Sequence, residues 1–270
     1  MVDYSIKPVD NQYKRNDEPK ALPIHPFCVL MVAPPASGKS TLVINWLCRE
    51  EFYKDAFERI VVFCPTGKCD DKYEYLLKQK ILKKPSDKYR KLLGLDEDQE
   101  IDDDKLKISP GDMHYDQTKF VKELQSLREE YEKVADKHGG KDAVPSTLVI
   151  LDDCLGTKLI KSPELTKFIT ARRHINSSII ISTQRWCSVP KTVRLNINYA
   201  IVFPIYDEDE IKTIQKECGS QLTKKEFFKV VEELFEDTTE RRFLCFNNNN
   251  KPSHRLIDSL KAFIVKDKSQ

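Results

Sequence analysis

The sequence predicts an α/β fold with a mainly parallel central sheet flanked by helices. An apolar run of strand length, residues 27–32, is followed by a loop of small residues and then by apolar side chains at helical spacing. A second apolar run, residues 59–64, ends at Pro65. A strand, a helix and a strand in this order are typical of parallel strands joined by a crossover helix.

Length and composition limit the classes of protein to consider. The 270 residues are enough for one α/β domain or two small ones. No stretch approaches the roughly 20 apolar residues of a membrane span, and residues 1–20 lack the apolar core of a signal peptide. A net charge of +2 neither favours nor excludes nucleic acid. Eight scattered cysteines predict a reducing compartment and a protein that is not secreted; a metal or disulfide at Cys64 and Cys69 is the alternative.

The chain divides into three parts. Residues 1–22 mix charges, proline and polar groups, which predicts a flexible polar arm, either disordered or packed on a neighbour. Residues 23–250 are expected to form one domain with a charged insertion at about 67–115. Residues 251–270 are expected to form a C-terminal tail.

The insertion carries opposite charges in two successive segments. Residues 72–91 predict an exposed helix, and residues 96–104 are almost wholly acidic and predict a mobile loop. The helix would present either a solvated basic face or a contact for a phosphate backbone. The basic side chains concerned are Lys78, Lys80, Lys83, Lys84, Lys88, Arg90 and Lys91.

The loop after the first strand has the pattern of a P-loop. Its residues are Ala33, Pro34, Pro35, Ala36, Ser37, Gly38, Lys39, Ser40 and Thr41, with Ala33 where the usual pattern has its first glycine. Small residues let backbone N–H groups close around a phosphate, and the helix N-terminus adds partial positive charge. We expect Lys39 to reach the β- and γ-phosphates of ATP and Ser40 to ligate Mg²⁺. The alternative is a chance Gly-Lys-Ser sequence in a turn.

A continuous apolar run, residues 147–151, ends in two carboxylates, Asp152 and Asp153. Buried strands of parallel sheets have this composition, and ligands bind at their carboxyl ends. Taken with the P-loop, Asp152 is interpreted as the Mg²⁺ carboxylate, usually acting through water, and Asp153 as the general base that polarises the attacking water. Alone, the pair could equally cap a turn.

The remaining elements follow from periodicity and caps. Apolar residues at 4-3-4-3 spacing predict a helix over Asp116–His138, and Ser162 is expected to cap the next one. The strand 177–183 ends at Gln184, whose amide would bind the γ-phosphate or its water, or else only satisfy backbone groups. Further predictions are a connector at 189–196, a strand at 199–203, helices at 207–218 and 223–236, and a strand at 243–246.

The order of these motifs is similar to that of the additional-strand class of P-loop ATPases (RecA-like fold), in which a strand intervenes between the Walker A and Walker B strands. Within that class, Arg172-Arg173-His174 followed by Ile179–Arg185 resembles the FtsK–HerA superfamily. The Asp-Asp pair and the compact chain resemble the poxvirus-type genome-packaging ATPases of large DNA viruses and virophages. The resemblance covers about residues 26–205.

The resemblance implies a Mg²⁺-dependent ATPase that moves double-stranded DNA into a preformed capsid. It also implies a homo-oligomeric ring whose arginine finger acts on the neighbour's nucleotide. Arg173 is the first candidate for the finger, ahead of Arg172 and Arg185. The partners implied for the whole protein are the DNA backbone, other subunits and a capsid or capsid-vertex protein. The implied location is the host cytoplasm (viral factory) or the virion.

Two other functions fit parts of the pattern. The main alternative is a nucleotide-gated DNA-binding or assembly switch that does not translocate DNA. A small-molecule kinase would also need a P-loop, but no acceptor-binding or lid segment is evident. Gln184 and the spare arginines favour the motor, because a switch needs neither neighbour sensing nor a finger.

Overall fold

The computed structural model describes residues 22–96, 100–154, 157–219, 222–236, 242–250 and 256–258. Eight strands lie within these residues: β1 (Cys28–Val32), β2 (Arg59–Phe63), β3 (Met113–His114), β4 (Thr147–Leu151), β5 (Ser177–Thr183), β6 (Tyr199–Val202), β7 (Leu244–Asn247) and β8 (Leu256–Asp258). They form one sheet in the order β3-β2-β4-β5-β1-β6-β7-β8. The first six are parallel, and β7 and β8 are antiparallel to their neighbours. The predicted α/β class is confirmed.

Helices cover the sheet. Those in the described residues are α1 (Lys39–Cys48), α2 (Asp71–Leu77), α3 (Asp87–Leu92), α4 (Gln117–His138), α5 (Pro163–Ala171), α6 (Lys191–Arg194), α7 (Glu208–Glu217) and α8 (Lys224–Phe235). None of the described helices has the length and apolar composition needed to cross a bilayer.

Strand β5 lies between β1 and β4 and pairs with both. Its register aligns Thr183 with Val32 at the end of β1, and Ile181 with Leu151 at the end of β4. The additional-strand class is therefore confirmed, with β5 as the strand between β1 and β4 in the sheet, whereas β2, which lies between them along the chain, is beyond β4. Because β1, β4 and β5 are parallel, the residues that follow them meet at one edge of the sheet.

Two apolar cores lie on opposite faces of the sheet, as the alternation of side chains along a strand requires. Along β4, Val149 and Leu151 belong to the core beneath α4 and α5, whereas Leu148 and Ile150 belong to the core beneath α1. Both faces of the strand are covered, which explains its continuous apolar sequence.

The long helix α4 begins and ends where its sequence predicts. Asp116 caps its N-terminus by accepting from the backbone N–H of Lys119, and Gly139 ends it in the left-handed conformation with φ of 87°. The five residues of the predicted apolar seam are all buried against the first core: Phe120, Leu124, Leu127, Tyr131 and Val134.

The single exposed helix predicted for residues 72–91 is wrong. Two short helices, α2 and α3, replace it, and the backbone N–H groups of Ile81 and Leu82 in the connection donate to the Leu106 carbonyl. Pro85 precedes α3 and cannot continue a helix from α2. Ile81 and Leu82 are buried in the core beneath α1, so this connecting segment is not exposed as predicted.

Two short strands were not predicted. Strand β3 lies inside the charged insertion and extends the sheet beyond β2, and β8 lies inside the segment expected to be a tail. Runs of two and three residues are too short to show an alternating pattern. Of the predicted acidic loop at 96–104, residues 97–99 lie outside the described residues, and Asp103–Leu106 forms a 3₁₀ turn.

Candidate active site

The P-loop lysine is held inside its own loop. Lys39 opens α1, and its Nζ donates to the carbonyl oxygens of Ala33 and Pro34 at 2.9 and 3.0 Å. Burial lowers the pKa of Lys39, while the carboxylates of Asp152 and Asp153 act in the opposite direction. The two carbonyls accept hydrogen bonds from the buried ammonium group, as a buried charge requires. The sequence predicts that phosphate oxygens of ATP bind this same group.

The loop's backbone explains where glycine is and is not needed. Gly38 has a φ of 99°, and Ala36, although not glycine, has a φ of 60°. Ala33 is not among the described residues with positive φ, and its N–H donates to the Thr183 carbonyl at 3.1 Å. An alanine is therefore tolerated where the usual pattern has its first glycine, and the strained position is Ala36.

Asp152 accepts three hydrogen bonds. Its Oδ2 accepts from Ser40 Oγ at 2.8 Å and from the Tyr73 hydroxyl at 2.5 Å, and its Oδ1 accepts from the Asp153 N–H at 3.1 Å. Asp152 is 2% exposed and Tyr73 is 1% exposed. Burial, followed by the charge of Asp152, raises the pKa of Tyr73, so its hydroxyl remains a donor. Tyr73 was missed in the sequence, because no local signal links a residue of α2 to the end of β4.

Asp153 and Gln184 contact each other at the same edge. Gln184 Nε2 donates to Asp153 Oδ1 at 3.2 Å, and both side chains are partly buried. Asp153 adopts the left-handed conformation, with φ of 51°, which is costly for a residue other than glycine. The structure thus brings together five residues predicted for the site, just beyond the ends of three parallel strands: Lys39, Ser40, Asp152, Asp153 and Gln184.

A buried carboxylate supports the segment that follows Gln184. Glu210 of α7 is 4% exposed and accepts from the backbone N–H groups of Trp186 and Cys187, the shortest contact being 2.6 Å to Trp186. Arg185 Nε lies 3.4 Å from Glu210 Oε1. This carboxylate fixes the turn after β5. The acidic first turn of α7 was visible in the sequence, but its distant partners were not.

The two adjacent arginines lie at the opposite edge of the sheet, at the start of β5, away from the P-loop of their own chain. Arg172 is 4% exposed, and its guanidinium donates to the carbonyls of Ile169 and Asn196 at 2.7 and 3.2 Å. Burial lowers the pKa of Arg172. Arg173 is exposed, and with His174 it lines a cavity of about 280 Å³. Arg172 therefore holds the end of α5 through these two carbonyls.

The other charged candidates are partly paired. Arg185 lies 3.6 Å from Asp207 as well as close to Glu210. In the basic cluster, Lys78 pairs with Glu74 at 2.6 Å, and Lys80 pairs with Asp103 of the acidic run. These pairs favour the solvated-face interpretation for that part of the cluster.

Metal binding by sulfur is not supported in the described residues. They contain no group of three or more His, Cys, Asp or Glu side chains suited to a metal ion, and the described cysteine side chains are unpaired by disulfides. The side chain of Cys69 lies outside the description, so the pairing considered for it is untested. Burial raises the pKa of Cys154, next to the Asp pair, so that thiol is neutral.

The fold and the edge cluster define a P-loop NTPase. The chain belongs to the family described as Poxvirus A32 protein, whose family model matches residues 49–249. This match confirms the poxvirus-type resemblance. Its first matched residue follows the P-loop, so the loop is assigned from its own sequence and geometry. A comparison with curated protein sequences finds no match.

Solved structures share the fold. The genome packaging NTPase B204 from Sulfolobus turreted icosahedral virus 2, in complex with sulfate, is 18% identical, with a TM-score of 0.52 over 85% of this chain and 98% of that one. The complex of B204 with ATP-gammaS is 17% identical, with a TM-score of 0.51 over 84% and 94%. At these identities the comparison establishes similarity of fold.

The left-handed alanine in the P-loop predicts an unusual response to glycine. Ala36→Gly removes backbone strain of about 1–2 kcal/mol but adds unfolded-state entropy of about 0.5–1 kcal/mol. We expect the free energy of unfolding to stay equal or to rise by up to about 1.5 kcal/mol in urea titrations. The control, Ala135→Gly within α4, is expected to lose about 1 kcal/mol. Equal losses in both variants would contradict the strain at Ala36.

Proposed function

We propose that this protein is a Mg²⁺-dependent ATPase whose turnover drives double-stranded DNA into a preformed viral capsid. The observation that carries the proposal is the meeting of Ser40, Asp152, Asp153 and Gln184 beside Lys39 at one sheet edge. Membership of the Poxvirus A32 protein family supports a viral role inside an infected host cell. The fold is shared with B204, a genome packaging NTPase, which supports the choice of a viral genome as the substrate that is moved.

Mg²⁺ fits the side chains at this edge. A hydroxyl and a carboxylate are the oxygen ligands that Mg²⁺ prefers, and it usually keeps several waters and binds the substrate phosphates. Ser40 would hold the ion directly and Asp152 would hold it through water. When bound, the ion would neutralise charge that develops on the phosphates. Lys39 would exchange its contacts with the Ala33 and Pro34 carbonyls for contacts with phosphate oxygens.

Asp153 is proposed as the general base. Its carboxylate follows the metal carboxylate directly, and Gln184 donates to one of its two oxygens. That contact orients the carboxylate, which would accept a proton from the water that attacks the γ-phosphate. Gln184 would sense the γ-phosphate through the same water. The turn behind Gln184 is fixed by buried Glu210, so its amide starts from a defined position.

Substitutions of Asp152 and Asp153 are expected to cause different defects in ATP turnover. Asp153→Asn removes the base and should lower kcat by about 10²–10⁴ while Mg-ATP still binds. Asp152→Asn should raise the Mg²⁺ concentration for half-maximal turnover by roughly tenfold or more. Steady-state ATPase assays over a Mg²⁺ series, with exposed Asp136→Asn as the matched control, measure both effects. If the two variants show the same defect, the division of roles is wrong.

A ring with a trans-acting arginine is the proposed assembly. Arg173 is the preferred finger because its side chain is exposed and follows α5 at the position implied by the resemblance, whereas Arg172 is buried against the carbonyls of Ile169 and Asn196. Arg173 lies at the sheet edge opposite its own P-loop, which suits contact with the nucleotide of a neighbour. A planar, permanently charged guanidinium suits the charge on a transferring phosphoryl group.

A mixing experiment tests the finger. Arg173→Ala subunits keep the P-loop, and Lys39→Ala subunits keep the arginine; each alone should lose about 10³-fold or more in turnover. Mixed rings should recover part of the ATPase activity, at sites that pair the intact P-loop with the intact arginine. The control mixes Arg173→Ala with the double variant Lys39→Ala, Arg173→Ala and should show no recovery. A lack of recovery in verified mixed rings of the single variants moves the role to another arginine.

DNA binding is expected to follow the backbone and to ignore sequence. A motor that moves along a whole genome must hold phosphates, and each neutralised phosphate contributes about 0.9 to the log–log salt slope. Fluorescence anisotropy with duplexes of different sequence should give equal affinities that fall steeply with salt. A flat salt response, or a strong preference for one sequence, speaks against the motor. A capsid or capsid-vertex protein remains the proposed docking partner.

A further inference from the structure

Helix α2, in the charged insertion, places the hydroxyl of Tyr73 beside Asp152, the proposed Mg²⁺ carboxylate. Tyr73 donates to Asp152 Oδ2 at 2.5 Å, the oxygen that also accepts from Ser40. From this contact we propose that Tyr73 is a positioning residue: it fixes the orientation of the Asp152 carboxylate so that the site binds Mg²⁺ with nucleotide. The inference rests on the proposed ATPase function and adds a residue to it.

The geometry favours a positioning role over simple packing. A phenol donating to a carboxylate makes a short, charge-assisted hydrogen bond, and both groups are almost fully withdrawn from water. The Ser40 hydroxyl donates to Asp152 and is also the proposed ligand of Mg²⁺, so it has two partners. Tyr73 is the donor to Oδ2 that has no part in metal ligation. Partners of this kind, which orient a ligand without touching the metal, strongly affect metal affinity.

Tyr73 is held in place by the N-terminal cap of α2 and by the packing of α2 against α1. Asp70 caps α2 by accepting from the Lys72 N–H at 3.0 Å, and the Tyr73 N–H donates to the Asp70 carbonyl at 3.0 Å. Leu76, on the same buried face of α2, is fully buried, and α2 packs against α1, the helix that begins at the P-loop. A short, capped helix therefore connects the charged insertion to Asp152, the proposed Mg²⁺ carboxylate.

Tyr75 supplies the matched control. It lies on the same helix, it is 52% exposed, and its removal leaves the contacts of Asp152 intact. Tyr73→Phe and Tyr75→Phe each delete one hydroxyl and keep the ring. Mn²⁺ is used as the metal probe and is titrated against protein saturated with AMPPCP, with electron paramagnetic resonance reporting free Mn²⁺.

Tyr73→Phe should weaken Mn²⁺ binding about tenfold or more, and Tyr75→Phe should match the wild type within twofold. A fluorescent ATP analogue in EDTA should bind all three proteins equally, because metal-free nucleotide does not need the carboxylate. A Mn²⁺ affinity of Tyr73→Phe within twofold of the wild type overturns the proposal. So does an equal loss of nucleotide affinity with and without metal, which indicates general damage to the loop.

A second measurement does not depend on the folding of Tyr73→Phe. 3-Fluorotyrosine placed at position 73 keeps the hydroxyl, and its ¹⁹F resonance should shift when Mg²⁺ is added to the AMPPCP-bound protein. The same label at position 75 should not shift, and a label at 73 that is insensitive to Mg²⁺ overturns the proposal. If the wild type itself binds no Mn²⁺ with AMPPCP, the proposed ATPase function fails and the inference falls with it. If only the Tyr73 effects are missing, the inference alone fails.

Discussion

The hydrogen bond between Ser40 and Asp152 joins the start of the P-loop helix to the end of β4, across 112 positions of the chain. It depends on β5, which lies between β1 and β4 and is paired with both in parallel register. Because the ends of these strands are fixed relative to each other, the residues that follow them share one edge. Lys39, Asp153 and Gln184 reach the site for the same reason. The chemistry proposed for this edge is therefore a consequence of strand order.

The predicted site residues at this edge already have hydrogen-bond partners within the chain. Lys39 bonds two loop carbonyls, Asp152 has three donors, and Gln184 bonds Asp153. Burying a lysine beside carboxylates costs free energy unless each group is paired. The proposed binding of Mg²⁺ and nucleotide would exchange these internal contacts for contacts with phosphate and metal. Hydrogen bonds within the chain thus fix the positions of the side chains that are proposed to bind the ligand.

The sequence predicted the parts of this protein that depend on local pattern. Strands buried on both faces, such as β4 and β5, are continuous apolar runs, and α4 shows its seam and its Gly139 cap directly. Contacts across long separations were not predictable: Tyr73 reaches Asp152 over 79 positions, and Glu210 supports the turn after Gln184 from another helix. Arg172 is buried and Arg173 is exposed, and this difference could not be predicted from their positions in the sequence. The prediction of one helix over residues 72–91 was wrong because Pro85, within that range, cannot continue a helix from α2.

In the proposed function, ATP turnover at this edge moves the protein along double-stranded DNA. Displacement of a fluorescent third strand from a linear duplex measures that movement directly. We expect release of the third strand to require ATP and Mg²⁺ and to occur on any duplex sequence. Asp153→Asn should abolish this release although DNA remains bound. Steady ATP turnover with DNA bound but without displacement would contradict the motor, and it would instead support a nucleotide-gated switch.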